Sequence, residues 1–214
     1  MIIREKRIST GRIYERNLLK FGEKGSIYKN AIFFDLEHYI YKKPICIGVF
    51  GCCYFDTEHH ELAITQYMIE NKKDSRDILI LAREYFKTML EKKKEYIVTF
   101  SGNNDFTVVN YLFDKYDIDF SISESFTHLD LQREYEKQTK LNIGLKALEK
   151  IFSIERDSEL ISGSNLAKTF GKLVKDDTYI TRMPKEKVEK ILLYNEQDIV
   201  SLFHIYTKWN KYIE

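Results

Sequence analysis

The run Ala31-Ile32-Phe33-Phe34-Asp35-Leu36-Glu37 constrains this chain more than any other part of it. A segment this apolar belongs inside a sheet. Extended backbone sends successive side chains to opposite faces, so Phe33, Asp35 and Glu37 share one face while Ile32, Phe34 and Leu36 share the other. Two carboxylates therefore stand side by side at the end of a buried strand, where they repel one another unless water, a proton or a cation intervenes. On this stretch alone, a solvated loop opening at Asp35 explains the acids as well as a cation site does.

At 214 residues the chain can bury a full core, which favours one domain or a domain with appendages. Lys and Arg total 34 against 33 Asp and Glu, so no global basic excess announces a nucleic-acid binder, and any basic surface has to arise from local clustering. No apolar run approaches the ~20 residues that cross a bilayer, and Met1-Ile2-Ile3-Arg4-Glu5-Lys6-Arg7 lacks the apolar centre of a signal peptide. A cytoplasmic protein without membrane association is expected. Cys46, Cys52 and Cys53 share one apolar segment without the paired spacing of a zinc site and are read as core thiols.

Residues 1–29 are polar and read as a lead-in segment packing on the edge of a domain that spans 30–214. After the opening strand, a polar turn at Tyr41-Lys42-Lys43 leads into a second long strand over 44–55, and a third follows over 61–69. Connections this short give an antiparallel meander. From Ser75 the apolar residues Ile78, Leu81, Ala82, Tyr85 and Met89 recur at helical spacing. Tyr96-Ile97-Val98-Thr99-Phe100 is then a short buried strand, Ser101-Gly102-Asn103-Asn104 a turn, and Asp105 the opening of a helix carrying Val108, Val109, Leu112 and Phe113. Phe126-Thr127-His128-Leu129-Asp130-Leu131 is a fifth strand, with helices near 143–153, 164–175 and 185–206. Strand and helix alternating after a meander predict a mixed α/β sheet covered by helices.

Asp105 follows a buried strand and a tight turn, where a parallel sheet gathers ligand groups, but an Asp there also serves as a helix cap. The last helix is more telling. Its apolar stripe runs through Val188, Ile191, Leu192, Ile199, Leu202, Phe203 and Tyr206, and Asn195 and Asp198 fall on or beside it. A carboxylate there needs a partner, and the residues three and four positions away on the same helix are Tyr194, Asn195, Ser201 and Leu202, none of them cationic. A metal shared with distant acids would satisfy Asp198; a slightly rotated helix exposing it to solvent would also do so. Tyr194, one turn earlier, can bring its hydroxyl to the same place.

Asp35-Leu36-Glu37, Asp105 and Tyr194-Asn195-Glu196-Gln197-Asp198, in this order and on these elements, resemble the three exonuclease motifs of the ribonuclease H-like DEDD superfamily. The tyrosine variant is the one matched, since the histidine variant places His five residues before the last Asp, where this chain has Leu193. Together with His128-Leu129-Asp130-Leu131 and Gly144-Leu145-Lys146-Ala147-Leu148-Glu149, the motifs most resemble bacterial YprB-like ribonuclease H-like domains, over about residues 30 to 207. The resemblance implies a five-stranded mixed sheet, three strands antiparallel and then two parallel. It also implies a two-metal site for Mg²⁺ or Mn²⁺, the ions roughly 3.5–4 Å apart, one lowering the pKa of the attacking water and the other stabilising the leaving oxygen. By similarity Asp35 touches both ions, Glu37 and Asp198 hold the one carrying the nucleophile, Asp105 assists at the second, and Tyr194 orients the water. His38, Asn104 and Asn195 are the accompanying candidates for substrate contacts. The chain departs from the usual pattern in having His38 where members carry Thr, and in the middle motif Ser101-Gly102-Asn103-Asn104-Asp105-Phe106, which lacks the usual Asn and the aromatic residue before Asp.

The implied activity is metal-dependent 3′–5′ exonucleolytic hydrolysis of a single-stranded or frayed nucleic-acid 3′ end. Lys42, Lys43, Lys137, Lys140, Lys146, Lys168, Lys172 and Lys175 are available as phosphate contacts, and Tyr39, Tyr41 and Phe106 as surfaces on which a base could stack. The alternatives are a binding module of the same fold with a degenerate metal site, and a structure-specific endonuclease.

Overall fold

The computed structural model describes residues 1–156 and 161–213. Among the described residues six strands form one sheet: β1 (Ile2–Ser9), β2 (Ala31–Tyr41), β3 (Lys43–Asp56), β4 (Glu61–Met68), β5 (Tyr96–Thr99) and β6 (Thr127–Asp130), in the spatial order β1-β4-β3-β2-β5-β6. The expected meander is present, with β2, β3 and β4 antiparallel, and β5 and β6 add in parallel beside β2. The difference from five strands lies at the amino terminus. Residues 2–9, read as lead-in, pair antiparallel with β4 from Ile2 opposite Met68 to Ser9 opposite Glu61. Their charged side chains suit a sheet edge, where charge discourages pairing with other chains.

Helices α1 (Asp74–Glu91), α2 (Asn103–Lys115), α3 (Ile122–Ser125), α4 (Leu131–Thr139), α5 (Leu145–Ile151), α6 (Gly163–Leu173), α7 (Tyr179–Arg182) and α8 (Lys185–Tyr212) surround the sheet. The alternation along β2 divides the core as its sequence predicts. Ile32, Phe34 and Leu36 pack with Ile78, Ala82 and Phe86 of α1 and Val109 and Leu112 of α2. Ala31 and Phe33 pack with Ile199, Leu202, Phe203 and Tyr206 of α8. The rings of Phe33 and Phe203 meet edge to face at 5.3 Å, and the Tyr206 hydroxyl accepts a hydrogen bond from Ile27 N at 2.8 Å, tying the segment before β2 to α8. All three cysteines are buried thiols, as expected.

Two features place the site. Strand β2 pairs with β5 only from Ala31 to Phe33, so Asp35 and Glu37 run on beyond the pairing with that neighbour. Helix α8 crosses this part of the sheet closely because Gly51, opposite Asp35 on β3, has no side chain: an ideal Cβ there would stand 2.0 Å from Asn195 Oδ1.

Candidate metal centre

Asp35 and Glu37 on β2 and Asp198 on α8 each offer a carboxylate oxygen, and the three oxygens lie within 4.8 Å of one another. Strand alternation puts the first two on the α8 side, and the interrupted stripe of α8 turns Asp198 back toward them. Asp198 is 4% exposed, so it does not face solvent. The crowding is electrostatically costly. Burial, and then the charges of Asp198, Glu37 and Asp105, hold the Asp35 carboxyl well above its ordinary range, with Lys146 opposing them. Glu37 is pushed up to about 8 by burial and by Asp198 and Asp105. A hard divalent cation bound by carboxylate oxygens would relieve this repulsion, and the donor set fits Mg²⁺ or Mn²⁺.

Asp105 is also buried, in the first turn of α2, but lies outside the close group of three. Burial and the neighbouring Asp130 raise it to about 7. Asp130 has a structural duty that its sequence position did not announce. Its Oδ1 accepts from Gln132 N at 3.0 Å, capping α4, and from Ser101 N at 2.9 Å, holding the left-handed Ser101 that turns β5 into α2. His38 Nδ1 sits 3.9 Å from Asp105 Oδ1 and, among the described residues, has no hydrogen-bond partner.

Three expectations are corrected here. First, Asp198 does have cationic partners, but from outside its own helix: Lys146 Nζ on α5 and Arg156 Nη2 just beyond α5 both contact its Oδ1. Arg156 is held in turn by the buried Glu149, with Nε donating to Glu149 Oε2 at 2.8 Å and Nη2 contacting Oε1. Lys146 and Arg156 also stand over the Tyr194 ring, at 4.5 and 5.4 Å from its centroid. Second, Asn195 is fully buried rather than presented to a substrate. Its Nδ2 donates to Asp35 Oδ2 at 3.1 Å and its Oδ1 accepts from Gln66 Nε2 at 2.8 Å, so it braces Asp35. Third, Phe106 is only partly exposed, its ring packed against His128 at 4.6 Å and Phe34 at 6.2 Å, which restricts the surface it can offer a base. Asn104 is exposed beside Asp105.

The Tyr194 phenol keeps its proton, since burial and then the charges of Asp198 and Glu37 drive its pKa up. Of the residues sequence reasoning missed, Glu149 lay three residues after Lys146 in a segment that already resembled the family. Arg156, after the end of α5, carried no local signal.

A mixed sheet with parallel strands joining an antiparallel meander, and acids gathered where its central strand meets the last helix, defines a ribonuclease H-like α/β protein. The RNase_H_2 family model, described as RNase_H superfamily, matches residues 32–210, and the chain belongs to this family. No curated protein matches the sequence. Membership brings with it a nuclease or nucleic-acid-related activity.

Proposed function

We propose that the protein is a metal-dependent 3′–5′ exonuclease acting on single-stranded or frayed nucleic-acid ends. The observation that carries this reading is the meeting of Asp35, Glu37 and Asp198, drawn from the two ends of the domain, within 4.8 Å. These three would hold one Mg²⁺ or Mn²⁺ ion, and Asp35 with Asp105 a second. When bound, the ions would polarise the scissile phosphate and lower the pKa of the attacking water. The chain's own groups orient the reaction. Asn195 fixes Asp35 from behind, the protonated Tyr194 hydroxyl is a donor one helical turn before Asp198, and Lys146 and Arg156 bring positive charge to the edge where a phosphate would approach.

The purified protein with Mn²⁺ or Mg²⁺ should release mononucleotides from a single-stranded oligonucleotide, and Asp35→Asn or Asp198→Asn should abolish the release while leaving the fold intact. Full activity in either variant would overturn the reading. Internal fragments instead of mononucleotides would move it to endonucleolytic cutting. A second reading, binding without hydrolysis, is favoured by the two cations already on Asp198. It predicts no stabilisation by Mn²⁺, whereas a site that binds the ion is stabilised by mass action.

A further inference from the structure

We propose that the cavity at the tip of the β2–β3 hairpin is a nucleotide subsite, holding one base and its phosphate from the substrate strand beyond the acidic cluster. The inference rests on nucleic acid being the substrate. The cavity is about 320 Å³, and Tyr39 and Tyr41 of β2, Tyr116 after α2, Lys72 before α1, Lys115 of α2 and Lys175 after α6 line it. This volume is at the small end for ligand sites, which suits one nucleotide. Three aromatic rings and three ammonium groups, with no carboxylate in the lining among the described residues, match the two halves of a nucleotide: a flat base and an anion.

Two further observations point to a polar aromatic ligand. Ser75 lines the same cavity, is 4% exposed, and its Oγ has no hydrogen-bond partner among the described residues. A buried hydroxyl left unpaired is costly, and the heteroatoms along a base edge would satisfy it. The Tyr39 ring is also fixed in place. Helix α6 approaches it through Gly171, whose ideal Cβ would stand 3.1 Å from Tyr39 Cζ, so the ring is backed by a helix instead of swinging freely.

The cavity is continuous in the chain with the proposed metal centre. Tyr39 and Tyr41 follow Glu37 by two and four residues on one strand. At ~3.3 Å per residue, the rings begin roughly 7 and 13 Å farther along it. The register of β2 shifts between Glu37 and His38 and again between Tyr39 and Ile40, so these distances run along a bent strand, and a substrate chain whose end lies at the acids would follow that bend round to the cavity.

Binding of the full chain to a labelled single-stranded oligonucleotide, in chelator and across a salt series, tests the subsite by fluorescence anisotropy. Tyr41 is 66% exposed, so its replacement leaves the fold unchanged. Tyr41→Ala should weaken binding about tenfold, as loss of a base–aromatic stack does, while Tyr41→Phe binds like the parent. Lys72→Ala, Lys115→Ala and Lys175→Ala should each lower the logarithmic salt slope by about 0.7. Unaltered affinity and salt slope in the four variants that lose a ring or a charge would overturn the subsite, as would equal weakening in Tyr41→Ala and Tyr41→Phe. A parent that binds as expected but hydrolyses nothing would overturn the exonuclease reading and leave the subsite standing.

Discussion

Gly51→Ala should damage the proposed metal centre without altering any acidic residue. The added methyl group would stand 2.0 Å from Asn195 Oδ1, 2.6 Å from its Cγ and 2.7 Å from its Nδ2, so the whole amide must move by more than 1 Å to reach ordinary contact. Asn195 is fully buried on the 28-residue α8, and its Oδ1 is engaged by Gln66 Nε2 at 2.8 Å. Either α8 lifts from the sheet or the amide rotates and releases Asp35. Overpacking costs about 1–3 kcal/mol, and loss of the hydrogen bond to Asp35 about 1.5–3 kcal/mol, which come to about 2.5–6 kcal/mol where both are incurred. In a chain of this size that lowers Tm by about 10 °C. Denaturant unfolding and Mn²⁺ titration monitored by thermal shift measure the two consequences separately. The Asn195→Ala background supplies the control, since removing the amide removes the clash and the added cost of Gly51→Ala should nearly vanish there. A single Gly51→Ala variant with parental stability and parental Mn²⁺ response would refute the bracing role of Asn195.

Arg156→Gln should destabilise the fold by about 3–5 kcal/mol, because it strands the Glu149 carboxylate, 2% exposed, without its cation; a Glu149→Gln/Arg156→Gln double variant should recover much of the loss in denaturant unfolding. The pH dependence of the metal-free protein follows from Glu37, raised from 4.5 to about 8, and Asp105, raised from 3.8 to about 7. The folded carboxyls keep protons that the unfolded chain has released, so stability is greatest below the unfolded values and falls as pH rises from about 4 to about 8. Urea midpoints measured at the two ends of that window should fall with pH in chelator, and the fall should shrink when Mn²⁺ is present.

What the sequence discloses is what local geometry controls. Alternation along Ala31-Ile32-Phe33-Phe34-Asp35-Leu36-Glu37 assigns each side chain to its face, and the interrupted stripe of α8 turns Asp198 inward, because both follow from backbone periodicity. The edge strand β1 escaped notice for a physical reason: an edge tolerates charge at most positions, so Ile2-Ile3-Arg4-Glu5-Lys6-Arg7 shows no apolar alternation. The partners of Asp198 escaped it because Lys146 and Arg156 lie 52 and 42 residues away in the chain, a proximity that only tertiary packing creates. Asn195 was recognised as a polar residue on a buried face, but its partner depended on the absence of a side chain at Gly51, which no pattern in α8 records.

The charges around Asp198 also determine which cation a metal would displace. Arg156 is anchored twice, to Asp198 and to the buried Glu149, so withdrawing it would strand Glu149 as well. Lys146 has the more solvent-accessible side chain, 29% exposed against 9% for Arg156, and its flexible stem lets the ammonium leave Asp198 for water at little cost. A divalent ion arriving at Asp35, Glu37 and Asp198 should therefore release Lys146 and leave Arg156 in place, freeing an ammonium group beside the site for a substrate phosphate. Amine-directed labelling read by peptide mass spectrometry checks this without any measure of hydrolysis. Lys146 should label faster in Mn²⁺ than in chelator, while Lys72, remote in the hairpin cavity, labels at the same rate in both. Unchanged labelling of Lys146 in protein that Mn²⁺ demonstrably stabilises would mean that the ion binds without disturbing the ion pair, and that Lys146 belongs to the architecture of Asp198 instead of to the substrate.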